Sequence, residues 1–306
     1  MSFQKKLFAY LQLMRPANIV TAIADIMAGA AATGVFTLAL YTNNNDWNSD
    51  YLTHLLWLIG ATIGLYGGGV VFNDVLDAEL DQKERPERAI PRGDVSVTEA
   101  GMLGGVLLAG GILMALQVSW ISAIIALAVA LCALLYDAWG KHQLIFGPLN
   151  MGLCRGGNLL LGMSLIPATL STYWYISIIP VVYIAAITMI SRGEVHGGNR
   201  LALWGGAGLY ALVVVSIVLL ISFSSEVNWV AFLFLGLFAS QIFPPLMKAI
   251  HYLKPQFIGK AVKAGVISLI ILDATLAAVF TSWEYGLLVL LLLPISFGLA
   301  RFFAVT

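Results

Sequence analysis

The chain has 306 residues, 60% of them apolar and only 10% charged, with 16 basic and 16 acidic side chains in balance. Soluble domains carry about 25% charged residues, so a globule of this size lacks the charge to cover its surface, which argues against a soluble enzyme or a disordered scaffold. No basic excess exists to neutralise a nucleic-acid backbone, and Cys132 and Cys154, both in apolar runs, make no disulfide framework.

Residues 1–16 carry Lys5, Lys6 and Arg15 without a separate apolar stretch or cleavage site, which argues against a signal peptide. Phe3, Leu7, Tyr10, Leu11 and Met14 instead predict an amphipathic helix lying at the interface. Beyond it, runs long enough to cross a bilayer, about 20 apolar residues each, fall at 17–41, 52–73, 100–118, 119–136, 147–167, 173–191, 202–222, 228–247, 262–282 and 285–303. The expectation is one all-α membrane domain over 1–306, a bundle of nine or ten transmembrane helices. Fifteen of the sixteen basic residues fall in loops on one side, and the opposite loops contain no Lys or Arg. By the positive-inside rule, both termini are expected in the cytoplasm.

The second crossing ends in Asn73-Asp74-Val75-Leu76-Asp77-Ala78-Glu79-Leu80-Asp81. At about 100° per residue, Asn73, Asp77, Asp81 and Asp74 share one helix face. Like charges at that spacing repel, and a hard divalent cation removes the penalty. Mg²⁺ suits a site of carboxylates completed by substrate phosphate. Lys83, Arg85, Arg88 and Arg92 follow and can reach phosphate oxygens. Pro86, Pro91 and Gly93 shape the loop that carries them, and Gly67-Gly68-Gly69 upstream reads as close helix packing or room for a ligand.

This Asn-Asp-x-x-Asp-x-x-x-Asp run, with the Arg-Pro-x-Arg-x-Ile-Pro-x-Gly that follows it, resembles the first motif of the UbiA superfamily of intramembrane prenyltransferases. Arg15-Pro16-x-Asn18 and the pair Tyr136 and Lys141 are similar to that family too. The resemblance implies a UbiA-like bundle around a central, lipid-accessible cavity. It also implies an isoprenyl diphosphate held through Mg²⁺, one or two ions, and transfer of the isoprenyl group to a small-molecule or lipid acceptor. Carried over, Asn73, Asp74, Asp77 and Asp81 hold the metal, Asp77 and Asp81 act in catalysis, and Arg88, Tyr136 and Lys141 meet the substrate. Membrane lipid is the other implied partner; no nucleic acid and no obligatory protein partner is implied. Trp57, Tyr66 and Phe72 are candidates for an aromatic cavity lining.

The family's second acidic motif is expected near 191–200, which here reads Ser-Arg-Gly-Glu-Val-His-Gly-Gly-Asn-Arg. Its three acids fall on Arg192, Val195 and Asn199, so the motif is degraded. Either Arg192 replaces one metal ion opposite the diphosphate, with Glu194, His196 and Asn199 orienting the substrate or coordinating a single remaining ion, or the chain is a non-catalytic binder, carrier or transporter of a hydrophobic metabolite precursor. The enzyme reading is favoured by the intact first motif. The runs at 151–158 and 191–200 look most similar to the EboC-like branch of the superfamily.

Three charged residues sit inside crossings. Arg155 either snorkels to the interface or reaches Asp137 or an anionic acceptor in the cavity, a polar group at that depth being costly unless paired. Asp25, with Asn18 seven residues before it, is expected to line the same cavity. Asp273 reads as a helix–helix hydrogen bond or a protonated acid.

Overall fold

The computed structural model describes residues 3–37, 49–193, 199–223 and 228–303. Among these, the secondary structure is helical throughout. The helices in chain order are α1 (Phe3–Met14), α2 (Pro16–Ala31), α3 (Ser49–Leu76), α4 (Ala78–Glu84), α5 (Val97–Leu116), α6 (Trp120–Ala138) and α7 (Phe146–Met163). There follow α8 (Ala168–Tyr173), α9 (Ile178–Ser191), α10 (Arg200–Phe223), α11 (Trp229–Tyr252), α12 (Pro255–Phe280), α13 (Trp283–Leu290) and α14 (Leu292–Leu299).

Among the described residues, seven helical segments are long and apolar enough to cross a membrane, and Pro16–Ala31 and Trp283–Leu299 are shorter apolar helices. The first expected crossing, 17–41, is corrected at its end: α2 stops at Ala31 and the chain turns through Thr33 and Gly34, whose φ of +73° suits glycine. The fifth expected crossing forms α7, but it is not among the seven apolar segments. Asn150, Arg155, Asn158 and its several glycines dilute its hydropathy. These polar groups are tolerated because α7 is enclosed by α2, α6 and α9 rather than by lipid.

Glycines bring the helices together. Gly64 of α3 meets the Leu107 carbonyl of α5 so closely that an added Cβ would lie 2.5 Å from it, and Gly111 of α5 meets the Ala61 carbonyl of α3 in return. Gly152 of α7 approaches the Val181 backbone of α9, Gly156 approaches the Ser177 carbonyl just before α9, and Gly162 approaches the Ile26 backbone of α2 in the same way. Where lipid offers as much apolar contact as another helix, such backbone approach is what makes association favourable. α12 is buried through most of its length, against α2, α9, α11 and α13.

α1 differs in detail from expectation. Ala9 and Leu13 are its buried residues, packed with Val71, Ala89, Ile90, Val95 and Ala100 in a small separate core, while Leu7, Phe8 and Leu11 remain exposed. That apolar face fits a helix lying at a membrane surface. Lys6 pairs with Glu99, which also closes a capping box with Ser96 at the start of α5.

Candidate active site

The acidic motif lies at a break between two helices. α3 ends at Leu76, Asp77 has a near-zero ψ, and α4 resumes at Ala78. Backbone bonds from Asp77 N–H to Asn73 and from Asp81 N–H to Asp77 hold the two helices nearly in line. The predicted single stripe therefore survives, but it divides by partner. Asp74 and Asp81 face Arg88, whose Nη1 donates to Asp74 Oδ1 at 3.1 Å and to Asp81 Oδ2 at 2.7 Å. Arg15 Nη2 donates to the same Asp74 oxygen at 2.8 Å. On the other side Lys141 Nζ donates to Asp77, and Asn73 Nδ2 donates to Asp137 Oδ1 at 2.8 Å.

Local backbone geometry delivers these cations. Arg15 joins α1 to α2 with a left-handed φ of 49°, a conformation uncommon for a side chain of its size, and Pro16 starts α2 directly after it. Arg88 sits in the loop after α4, which turns at Gly93 (φ +79°) and is tied by the Asp94 N–H to the Ala89 carbonyl. Ala89 and Ile90 plug that loop into the small core. Lys141 lies in the single 3₁₀ turn after α6.

Asp74, Asp81 and Asp137 are nearly buried, at 6%, 4% and 5% exposure, and no carboxylate of this group stands without a donor. Four carboxylates face three cations here. Among the described residues, no three His, Cys, Asp or Glu side chains converge tightly enough to encage a metal by themselves. The expected site is one of carboxylates completed by substrate phosphate, which needs no such cage. Its chemistry still fits Mg²⁺, because hard carboxylate oxygens next to phosphate-binding cations are what that ion takes together with substrate oxygens.

Below the motif opens a cavity of about 280 Å³. Arg15, Asn73, Tyr136 and Asp137 line its upper part; Thr62, Tyr66, Arg155 and Asn158 line its far end. Gly69 leaves space there, whereas Gly68 packs on Leu108 and the Gly104 carbonyl, so the glycine run serves both predicted roles. Of the three aromatic candidates only Tyr66 lines the cavity; Phe72 packs on Gly104 and Trp57 is 39% exposed.

Arg155 neither snorkels nor reaches Asp137. It is buried, with Nη1 donating to Asp25 Oδ2 at 2.6 Å, Nη2 donating to Thr21 Oγ1, and its guanidinium 5.2 Å from the centre of the Tyr66 ring. Asp25 and Asn18 are buried in α2 and do not line the cavity, contrary to expectation, because Arg155 stands between Asp25 and the open space. Asp273 of α12 lies against Asp25. Arg192, exposed at the end of α9, donates to the Gln143 carbonyl in the turn before α7 and contacts none of the motif acids. Asn199 caps α10, accepting from the Leu201 N–H at 2.9 Å. Glu194 and His196 lie outside the described residues.

Sequence reasoning named Tyr66 as a cavity candidate but did not place Arg15, Asp137 or Thr62 in the site. The Arg-Pro-x-Asn run and the Tyr136-Asp137 neighbourhood carried a signal for the first two. Nothing local marks Thr62, which becomes a site residue only when Asn158 of α7 packs across α3.

The sequence model of the UbiA prenyltransferase family matches residues 30–244. A digeranylgeranylglyceryl phosphate synthase of Methanothermobacter thermautotrophicus is 25% identical over 247 residues, 79% of this chain and 81% of that protein. Further relatives of that name align over about half of their length. The structure is similar to that of an apo UbiA homologue from Aeropyrum pernix K1, with a TM-score of 0.68 at 16% identity over 84% of this chain and 96% of that one. It is also similar to a UbiA homologue from Archaeoglobus fulgidus bound to DMAPP and Mg²⁺, with a TM-score of 0.60 at 15% identity over 92% and 98% of the two chains. The curated relatives named above are digeranylgeranylglyceryl phosphate synthases, so they do not carry the narrower likeness to the EboC-like branch. A matching family model over most of the chain, on a fold that two solved homologues share, makes this an integral membrane protein of the UbiA prenyltransferase family.

Proposed function

We propose that this protein is a Mg²⁺-dependent prenyltransferase that seats an isoprenyl diphosphate at the Asp74–Asp77–Asp81 cluster and alkylates an acceptor held in the cavity below. The observation that carries the reading is the interleaving of Asp74, Asp77 and Asp81 with Arg15, Arg88 and Lys141 at the mouth of a cavity whose walls include Leu65, Val70, Val129, Ala133 and Met151. A structural ion-pair cluster needs no cavity beside it, whereas a diphosphate headgroup with an apolar tail needs both. The homologue bound to DMAPP and Mg²⁺ supports the same donor class.

When bound, Mg²⁺ neutralises charge on the departing diphosphate; Asp74, Asp77, Asp81 and Asn73 are the oxygen donors that would hold it. Arg15, Arg88 and Lys141 then turn from carboxylate to phosphate oxygens, holding the headgroup and favouring the charge that builds on it as the bond breaks. The C1–O bond of the donor breaks with its electron pair going to the diphosphate oxygen, and C1 bonds to the acceptor nucleophile. Asp137, fixed by Asn73 inside the cavity, takes the proton the acceptor releases. Arg192 pairs with no carboxylate among the described residues, which suits it to the diphosphate side of the site, with Glu194, His196 and Asn199 beside it in sequence. The loop distribution of basic residues supports both termini and the motif facing the cytoplasm. Likeness to the EboC-like branch rests on residues 151–158 and 191–200 alone, and the substitutions at the second motif favour the carrier as the second reading.

Purified protein incubated with labelled geranylgeranyl diphosphate and Mg²⁺ separates the two. Diphosphate release that is abolished by EDTA, by Asp77→Asn and by Asp81→Asn supports the enzyme. Lipid recovered intact and bound supports the carrier.

A further inference from the structure

The far end of the cavity is polar, which a tunnel for a hydrocarbon tail is not. Arg155 (6% exposed), Asn158 (4%) and Thr62 (0%) are buried there, and Tyr66 completes the wall. Tyr66 lies seven residues before Asn73 on α3, about 10 Å deeper at the helical rise. Asn158 is fully used: its Nδ2 donates to Asp25 Oδ2 and the Ala22 carbonyl, and its Oδ1 accepts from Thr62 Oγ1 at 2.7 Å. Arg155 is not. Asp25 and Thr21 take two of its five N–H groups, and its remaining donors belong to a side chain that borders the cavity. The Tyr66 hydroxyl has no hydrogen-bond partner among the described residues; its ring carries only the contact with the Arg155 guanidinium.

The charge of this corner limits what it takes. Arg155 is met by Asp25, and Asp273 stands behind Asp25 with no protein donor for either of its oxygens. The group therefore carries no surplus positive charge, and a second anion finds no net attraction. An isoprenyl tail would cover the guanidinium N–H groups and the phenol without satisfying them, which is costly away from water. A neutral oxygen satisfies both donors.

We propose that the Arg155–Tyr66 corner is a subsite for an uncharged carbonyl or hydroxyl oxygen of the prenyl acceptor, so that the cavity's far end selects the acceptor rather than measuring the donor's tail. As an acceptor site this rests on the diphosphate reading of the cavity mouth; as a binding site it stands on its own geometry.

Binding of 2-naphthol, naphthalene and 2-naphthoate to protein in nanodiscs, corrected for partition into the lipid, tests it at neutral pH. The expected result is 2-naphthol bound about tenfold tighter than naphthalene, the size of a hydrogen bond to a charged donor, with 2-naphthoate weaker than 2-naphthol. Tyr66→Phe is expected to reduce the preference. The paired change Asp25→Asn with Arg155→Met, which removes the ion pair without stranding a charge, is expected to abolish it. Binding of geranyl diphosphate with Mg²⁺ serves as the second readout and is expected to persist in Tyr66→Phe, which also reports that this variant is folded. Equal binding of 2-naphthol and naphthalene, tighter binding of 2-naphthoate, or a preference unchanged in both variants would overturn the subsite. Failure of geranyl diphosphate to bind the unaltered protein, with the naphthol preference intact, would remove the diphosphate reading and leave the subsite as that of a binding protein.

Discussion

Arg88 is the residue on which the two halves of the mouth depend, and replacing it by Met isolates its contribution. Its Nη1 bridges Asp74 and Asp81, with only 15% of the side chain exposed against 8% and 6% for the two acids. After Arg88→Met, Asp74 keeps Arg15, but Asp81 loses the one side-chain donor it has among the described residues. Stranding one member of a buried ion pair costs about 3–5 kcal/mol. The residual exposure and the retained Arg15 bond bring the expected loss here to about 2–3 kcal/mol. In a chain of this size that corresponds to a fall in Tm of about 5 °C, read by tryptophan fluorescence during thermal unfolding in detergent. Adding Asp81→Asn removes the stranded charge and should recover at least half of the loss, because the amide tolerates burial without a counter-ion. A melting temperature for Arg88→Met unchanged from that of the parent, or no recovery in the double variant, would refute the idea that Arg88 neutralises Asp81 in the folded protein. The same variant should bind geranyl diphosphate at least tenfold more weakly, and the double variant should not recover that loss, since the cation is still missing.

Three further outcomes are expected. Asp137→Asn should keep donor binding, as the amide preserves the shape of the site, while slowing prenyl transfer by about a hundredfold or more if the carboxylate is the base; unchanged turnover would move that role elsewhere. Gly64→Ala pushes a Cβ to 2.5 Å from the Leu107 carbonyl and 3.0 Å from the Gly111 backbone, so α3 and α5 must separate at a cost of about 2–3 kcal/mol, measured as a lower unfolding temperature. Ser96→Ala opens the capping box at the start of α5, where Ser96 Oγ accepts from the Glu99 N–H at 3.2 Å, and should cost about 1 kcal/mol in the same assay.

The amino-acid sequence by itself determined the solvent this chain folds in, since its scarcity of charge and its long apolar runs leave the bilayer as the place where its helices can be buried. It also determined the order of the helices and the acid stripe of Asn73, Asp74, Asp77 and Asp81, because both follow from local periodicity. Tertiary structure alone decided which cation meets which acid. Arg15 and Asp74 are 59 residues apart, Lys141 and Asp77 are 64 apart, and Arg155 and Asp25 are 130 apart. No pattern within one helix encodes such pairings. They arise when glycine faces bring α2 to α7 and α3 to α5 in backbone contact, and a charge that has left water must then find its counter-charge on whichever neighbour that packing supplies.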